Sequence, residues 1–175
     1  PLLKKTEADI HKYNRGTTFI IAGRELIGAS KLAALAASQA SLRVGGGVAK
    51  IFVHEADINF FKPHILEEMI IPFTNTNHLI SIIQKTNILS LVYGCGMDIN
   101  RSNTEILKFL LKQSFGIVLD ASAFSLIKND KGMFFKLLLN REAVTILTPH
   151  KGEFETVFSF NNNKIEASIE ASKQT

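Results

Sequence analysis

The sequence predicts an α/β fold with a mostly parallel sheet flanked by helices, and three observations lead there. Short apolar runs rich in β-branched residues recur along the chain, at Thr17 to Ala22, Val48 to Val53, Ile88 to Tyr93, Ile117 to Leu119 and Val144 to Leu147. Such runs read as buried strands, and the longer stretches between them carry helical composition or periodicity. Strands and helices therefore alternate, the pattern of βαβ units with right-handed crossovers. Three of the runs also stop abruptly, at Gly94-Cys95-Gly96-Met97-Asp98, at Asp120-Ala121-Ser122-Ala123 and at Thr148-Pro149-His150. In a parallel sheet these turns lie at the carboxyl ends of the strands, where α/β proteins bind ligands.

The sequence of 175 residues suits one domain, 1–175, with 46% hydrophobic residues to fill a core. Lysine and arginine number 20 against 16 acidic residues, a formal charge of +4. These charges are scattered rather than clustered, so they read as solubility and argue against nucleic acid as a partner. The single cysteine, Cys95, cannot form an internal disulfide and fits a reducing, cytoplasmic setting. No charged-then-apolar leader opens the sequence and no apolar run reaches about 18 residues, so neither a signal peptide nor a membrane span is expected.

In chain order, Pro1 to Arg15 is polar and of mixed charge, and Thr17 to Ala22 is the first strand. Gly23 and Gly28 bracket a loop before Ala29 to Val44, a helix of alanine and serine expected to lie close against a sheet. Gly45-Gly46-Gly47 ends it, and Val48 to Val53 is the second strand. A helix is expected around His64 to Met69, and another at Leu79 to Lys85. His54, Glu55, Asp57, His64, Glu67 and Glu68 lack the spacing of a metal site and read as a solvated helical face. Ile88 to Tyr93 is the third strand, Asn103 to Gln113 an amphipathic helix and Ile117 to Leu119 the fourth strand. Ser125 to Leu139 reads as helix broken near Asn129 to Gly132. The fifth strand precedes His150, Asn161 to Asn163 is a loop, and Ile165 to Ser172 is a last helix.

Glycine at a strand end lets a ligand approach the backbone, and a helix start offers unpaired N–H groups to phosphate. Each turn also has a plainer reading. Gly-x-Gly is ordinary turn chemistry, a strand-end aspartate caps helices, and a histidine after proline can cap locally. Cys95 reads as a packed residue, since no partner base is evident. Three such ends on one sheet point to a domain binding a phosphate-bearing small molecule, and every glycine-rich stretch is expected at that same edge.

The motifs carry the reading further. His11-Lys12 with Gly16, Ala22-Gly23 with Gly28-Ala29 and Leu32-Ala33-Ala34, Leu42-Arg43-Val44-Gly45-Gly46-Gly47, Glu67-Glu68-Met69-Ile70, Gly94-Cys95-Gly96-Met97-Asp98, Val118 to Ala123, and Leu147-Thr148-Pro149-His150-Lys151-Gly152-Glu153-Phe154 follow in order. Together they resemble the ADP/ATP-dependent NAD(P)H-hydrate dehydratase family, carbohydrate-kinase-like members of the ribokinase-like superfamily. The Leu-Thr-Pro-His-x-Gly-Glu-Phe segment is the most specific. The resemblance implies a ribokinase-like three-layer domain, incomplete at its C-terminus. It implies repair of NADHX or NADPHX to NADH or NADPH with ADP or ATP and Mg2+. By position, Ala29, Gly96 and His150 would contact the hydrated dinucleotide, Gly94 would shape the same turn and Asp120 would sit nearby.

The sequence also departs from the family pattern. It contains no Gly-Thr-Gly-Asp segment, which in the family supplies the anion hole and the catalytic aspartate. No catalytic residue and no metal ligand is therefore assigned. Arg24 to Ile27 replaces a Ser/Gly-rich loop, Asp98 a glycine, and Ser122 an acid. The expectation is a chain impaired alone, whether a truncated or split product, active with a complementing C-terminal chain. Alternatives are a non-catalytic dinucleotide-binding remnant and a small-alcohol kinase such as a hydroxyethylthiazole kinase. An exposed strand edge would also favour a homo-oligomer.

Overall fold

A computed structural model describes residues 12–65, 67–159 and 163–175. The regular elements are β1 (Thr17–Ile21), α1 (Ile27–Arg43), β2 (Val48–His54), α2 (Ile58–Phe61), β3 (Met69–Phe73), α3 (Thr76–Gln84), β4 (Ser90–Tyr93), α4 (Arg101–Leu110), β5 (Gly116–Leu119), α5 (Ser122–Asn129), α6 (Lys131–Leu139), β6 (Thr145–Leu147), α7 (Lys151–Val157) and α8 (Lys164–Ser172). The strands form one six-stranded sheet in the order β3-β2-β1-β4-β5-β6. All its pairings are parallel. The α/β expectation therefore holds. The sheet grows outward in both directions from β1 and β4, so the strand order reverses between them and a crevice opens at their carboxyl ends.

Period-two alternation divides β1 between two cores. Phe19 and Ile21 join Leu91, Tyr93 and Leu119 under residues of α3, α4, α5 and α6. Ile20 and Ala22 face the other way, onto Ala34 of α1 and Phe61 of α2. Small residues let α1 lie close to the sheet, as expected: Ala34 and Ser38 are fully buried, and the Thr18 and Ser41 hydroxyls are 2.7 Å apart. On this second face the cover stops short of β6, whose Ile146 is 50% exposed, with Val144 before it 68% exposed. The fifth predicted strand is thus a half-open edge rather than a buried one.

Arg141 ties that edge to the rest. Its guanidinium donates to the carbonyl oxygens of Leu110, Leu111, Gln113 and Phe115, and its Nε to Thr145 Oγ1. The side chain thereby satisfies the carboxyl-terminal carbonyls of α4, which have no partners inside the helix, and fixes the start of β6.

Three expectations need correction. The segment from His64 to Met69 is not a helix: a 3-10 turn at Lys62–His64 leads through an extended Ile65 into β3. Pro72 hides this strand in the sequence. Its missing N–H is harmless because β3 is the outermost strand. The acids there accordingly do not form a solvated helical face, and Glu68 is buried. Third, Gly45-Gly46-Gly47 precede β2 and so lie at the amino edge of the sheet, where Gly47 packs against the Lys12 carbonyl. Those glycines close the α1–β2 turn and do not line the ligand edge. His11, Leu66 and the loop residues Asn161 and Asn162 fall outside the described residues. Among the described residues no helix is long and apolar enough to cross a membrane.

Candidate functional site at the carboxyl edge of the sheet

At the β1–β4 crevice two exit loops interlock. The Gly96 carbonyl accepts hydrogen bonds from the N–H groups of Glu25, at 3.1 Å, and Leu26, at 3.2 Å. Gly23 lies so close that any side chain there would strike the Gly96 carbonyl group and come within 2.6 Å of the Cys95 oxygen. Buried Ser30, on the first turn of α1, accepts the Gly23 N–H at 2.7 Å. A side chain at Gly96, which has φ 68°, would lie 2.6 Å from the Leu26 oxygen. Glycine is thus required at both positions by space, and at Gly96 by φ as well. Ala29 precedes Ser30 on the same turn and is exposed.

The next turn is joined to this one. Gly94, at φ 121°, packs on the Asp120 carbonyl so closely that no side chain fits. Asp120 N–H donates to Tyr93 O, and Ser122 N–H to Gly94 O. The half-buried Asp120 carboxylate accepts the Ala121 N–H at 2.9 Å and faces the Cys95 thiol, with Sγ 3.7 Å from Oδ2. Burial, and then the Asp120 charge, push the Cys95 thiol up to about 11. It is therefore a protonated donor at neutral pH rather than a nucleophile. Above it Tyr93 is fully buried and its hydroxyl, raised far beyond the ordinary tyrosine range by burial, donates to Asn103 O at 2.9 Å.

His150 closes the row beyond β6. It caps α7 reciprocally: Nδ1 accepts the Glu153 N–H at 3.3 Å while the Glu153 carboxylate accepts the His150 N–H at 2.9 Å. Nε2 lies 3.2 Å from the other Glu153 oxygen, so both ring nitrogens are engaged and the side chain stays 72% exposed. Glu153 is also among the charges that raise Cys95, so the cap faces the Asp120 turn. A cleft of about 250 Å3 lies beside it, lined by His150, Lys151, Phe154, Lys164 and Ser168. A larger one, about 570 Å3, runs past Thr145, Leu147, Thr148 and Phe158, on the face of β6 opposite Ile146.

Gly94, Gly96 and Asp120 therefore form one hydrogen-bonded unit. Ala29 adjoins it through Ser30, and His150 stands at the far end of the row. Sequence reasoning missed Ser30, which looks like one more small helical residue, and Ala121, whose backbone has positive φ. It noted Glu25 and Asp98 separately but not as a pair. Their carboxyls meet at the crevice mouth, and hydrogen bonding to and repulsion by Asp98 hold the Glu25 carboxyl above its ordinary range. Among the described residues no three His, Cys, Asp or Glu side chains come together so as to hold a metal ion.

Comparison with known proteins gives a consistent result. A family model described as NAD(P)H-hydrate dehydratase matches residues 18–175. The bifunctional NAD(P)H-hydrate repair enzyme Nnr of Gloeobacter violaceus is 29% identical over 86% of this chain, and its Archaeoglobus fulgidus counterpart 28% over 88%. The chain spans only 29% and 31% of those two proteins. A Bacillus subtilis ADP/ATP-dependent NAD(P)H-hydrate dehydratase, co-crystallised with ATP/Mg2+, superposes with a TM-score of 0.66 at 25% identity, over 89% of this chain and 51% of that one. A ribokinase-like superfamily protein of Enterococcus faecalis gives 0.76 at 18% identity, over 98% and 59%, which establishes the ribokinase-like fold.

Proposed function

Because the chain belongs to the NAD(P)H-hydrate dehydratase family, we propose that its carboxyl-edge row binds the hydrated dinucleotides NADHX and NADPHX, as part of their repair to NADH and NADPH. The observation that carries this is the order of the strands. The exits of β1, β4, β5 and β6 are consecutive neighbours, and they bear Ala29, Gly94 with Gly96, Asp120 and His150. With strands about 4.8 Å apart the row is roughly 14 Å long. A ligand touching both ends must be extended, which suits two nucleotides joined through a pyrophosphate and does not suit a small alcohol.

Each residue has a definite part in this reading. The Gly94 and Gly96 turn admits the ligand close to the backbone. Asp120 accepts a hydrogen bond from a ligand hydroxyl. His150, held by Glu153 through both ring nitrogens, offers its ring face for stacking. Residues 1–175 are taken as one ribokinase-like domain, acting with ADP or ATP and Mg2+ as the family does. The nucleotide, when bound, supplies the phosphoryl group that turns the ring hydroxyl into a leaving group. Phosphoryl transfer is assigned to none of these 175 residues, which include no Gly-Thr-Gly-Asp segment. The open edge of β6 is where a second copy or a complementing chain would add.

A second reading, a non-catalytic folded remnant, is favoured by the carboxyl pair of Glu25 and Asp98, which repels the phosphates of any nucleotide at the crevice mouth. One experiment separates the classes. NADHX and hydroxyethylthiazole are titrated against the chain, and NADH absorbance is followed with ADP or ATP and Mg2+. Binding of NADHX without turnover, and none of the thiazole alcohol, is expected. Phosphorylation of the alcohol, or binding of neither, overturns the proposal, and turnover of NADHX shows that a group among these residues replaces the missing aspartate.

A further inference from the structure

Ala121 is the one non-glycine residue among the described residues with positive φ, at φ 49° and ψ −119°. This backbone region is open to glycine and strained for any residue with a Cβ. The strain sits between Asp120 and Ser122, the first residue of α5, at a strand-to-helix turn with no intervening loop. Its effect is local and specific. The Ala121 N–H is turned onto Asp120 Oδ1 at 2.9 Å, and the Cys95 thiol approaches Oδ2 from the β4 turn. Gly94 O is held by the Ser122 N–H at 3.2 Å, so the two turns cannot separate without breaking that bond. The carboxylate is thus gripped at both oxygens by groups from two strand exits.

We propose that Ala121 is a positioning residue, whose strained backbone holds the Asp120 carboxylate in place at the carboxyl edge between Gly94 and Cys95. Glycine at this position would accept the same φ without strain, but it would also let the peptide swing and release Oδ1. Alanine forgoes stability and keeps the carboxylate fixed. The consequence for ligand binding rests on the function proposed above, whereas the positioning itself does not.

Cys95, the only cysteine, reports on the carboxylate directly. Burial raises its thiol most; the charged groups that raise it further are Asp120 and, more weakly, Glu153, and Glu153 is untouched in the variants. The rate of alkylation of the chain by iodoacetamide is measured against pH for the wild type, Ala121→Gly and Asp120→Asn, with thermal midpoints alongside. In Ala121→Gly the alkylation profile is expected to move toward lower pH, with reaction at pH 8.5 accelerated several-fold. Tm is expected to rise by roughly 2–4 °C as the strain is relieved. Asp120→Asn should move the profile in the same direction. An unmoved profile in either variant, or a lower Tm in Ala121→Gly, overturns the proposal. A moved profile with NADHX affinity unchanged upholds the positioning and removes Asp120 from the ligand contacts.

Discussion

Gly23 and Gly96 touch backbone to backbone where the strand order of the sheet reverses, and a side chain on either would collide with the opposite loop. The two exit loops therefore meet through main chain at this point of the crevice. Gly23→Ala and Gly96→Ala should each lower stability by about 1–3 kcal/mol, because the obstacle is backbone and cannot rotate away. Urea unfolding midpoints measure this. Gly28→Ala is the control, since nothing lies within 4 Å of a side chain at that position.

The carboxyls of Glu25 and Asp98 set an acid-side dependence whose sign is fixed. Hydrogen bonding to and repulsion by Asp98 raise the Glu25 carboxyl above its ordinary 4.5, so the fold favours its protonated form. That contribution is present below 4.5 and is lost as pH rises through the raised value. At neutral pH the pair only repels. Asp98→Asn should accordingly raise Tm at pH 7, and the gain should vanish toward pH 4. A gain independent of pH would contradict the pairing.

Arg141 ties α4 to β6 through four carbonyl oxygens and the Thr145 hydroxyl. Lysine keeps the charge but cannot reach this fan of acceptors. Arg141→Lys should cost about 2–3 kcal/mol in urea unfolding, with half-buried carbonyls left unpaired. Amide exchange should increase first at β6.

How legible these features were follows from their range in the chain. β1, β2, β4 and β5 declare themselves as short apolar runs, and the α5–α6 break at Asp130 follows from the polar Asn129 to Gly132 stretch. β3 does not, because Pro72 argues against a strand unless its edge position is known. The exposure of Ile146 could not be read either, since a run's composition does not say whether a neighbour covers it. Gly94, Gly96 and Asp120 were legible as strand ends. The reciprocal cap of His150 and Glu153 is local, and its spacing lies in the sequence. The meeting of Glu25 with Asp98 depends on β1 and β4 being neighbours, and the φ of Ala121 on how tightly Gly94 draws the two turns together. Neither is a property of any single stretch.

The claim that one extended ligand lies along the row is tested most directly from its two ends. NADHX affinity is measured by titration calorimetry for the wild type, Ala29→Leu and His150→Asn. Asparagine is a good helix cap, so His150→Asn should leave the α7 cap and Tm nearly unchanged while removing the ring. Leucine at exposed Ala29 preserves helix propensity and adds bulk at the opposite end. Each change is expected to weaken NADHX binding roughly tenfold or more, about 1.4 kcal/mol, at an unchanged Tm. Affinity lost at one end only, or at neither, would contradict a ligand that spans from β1 to β6.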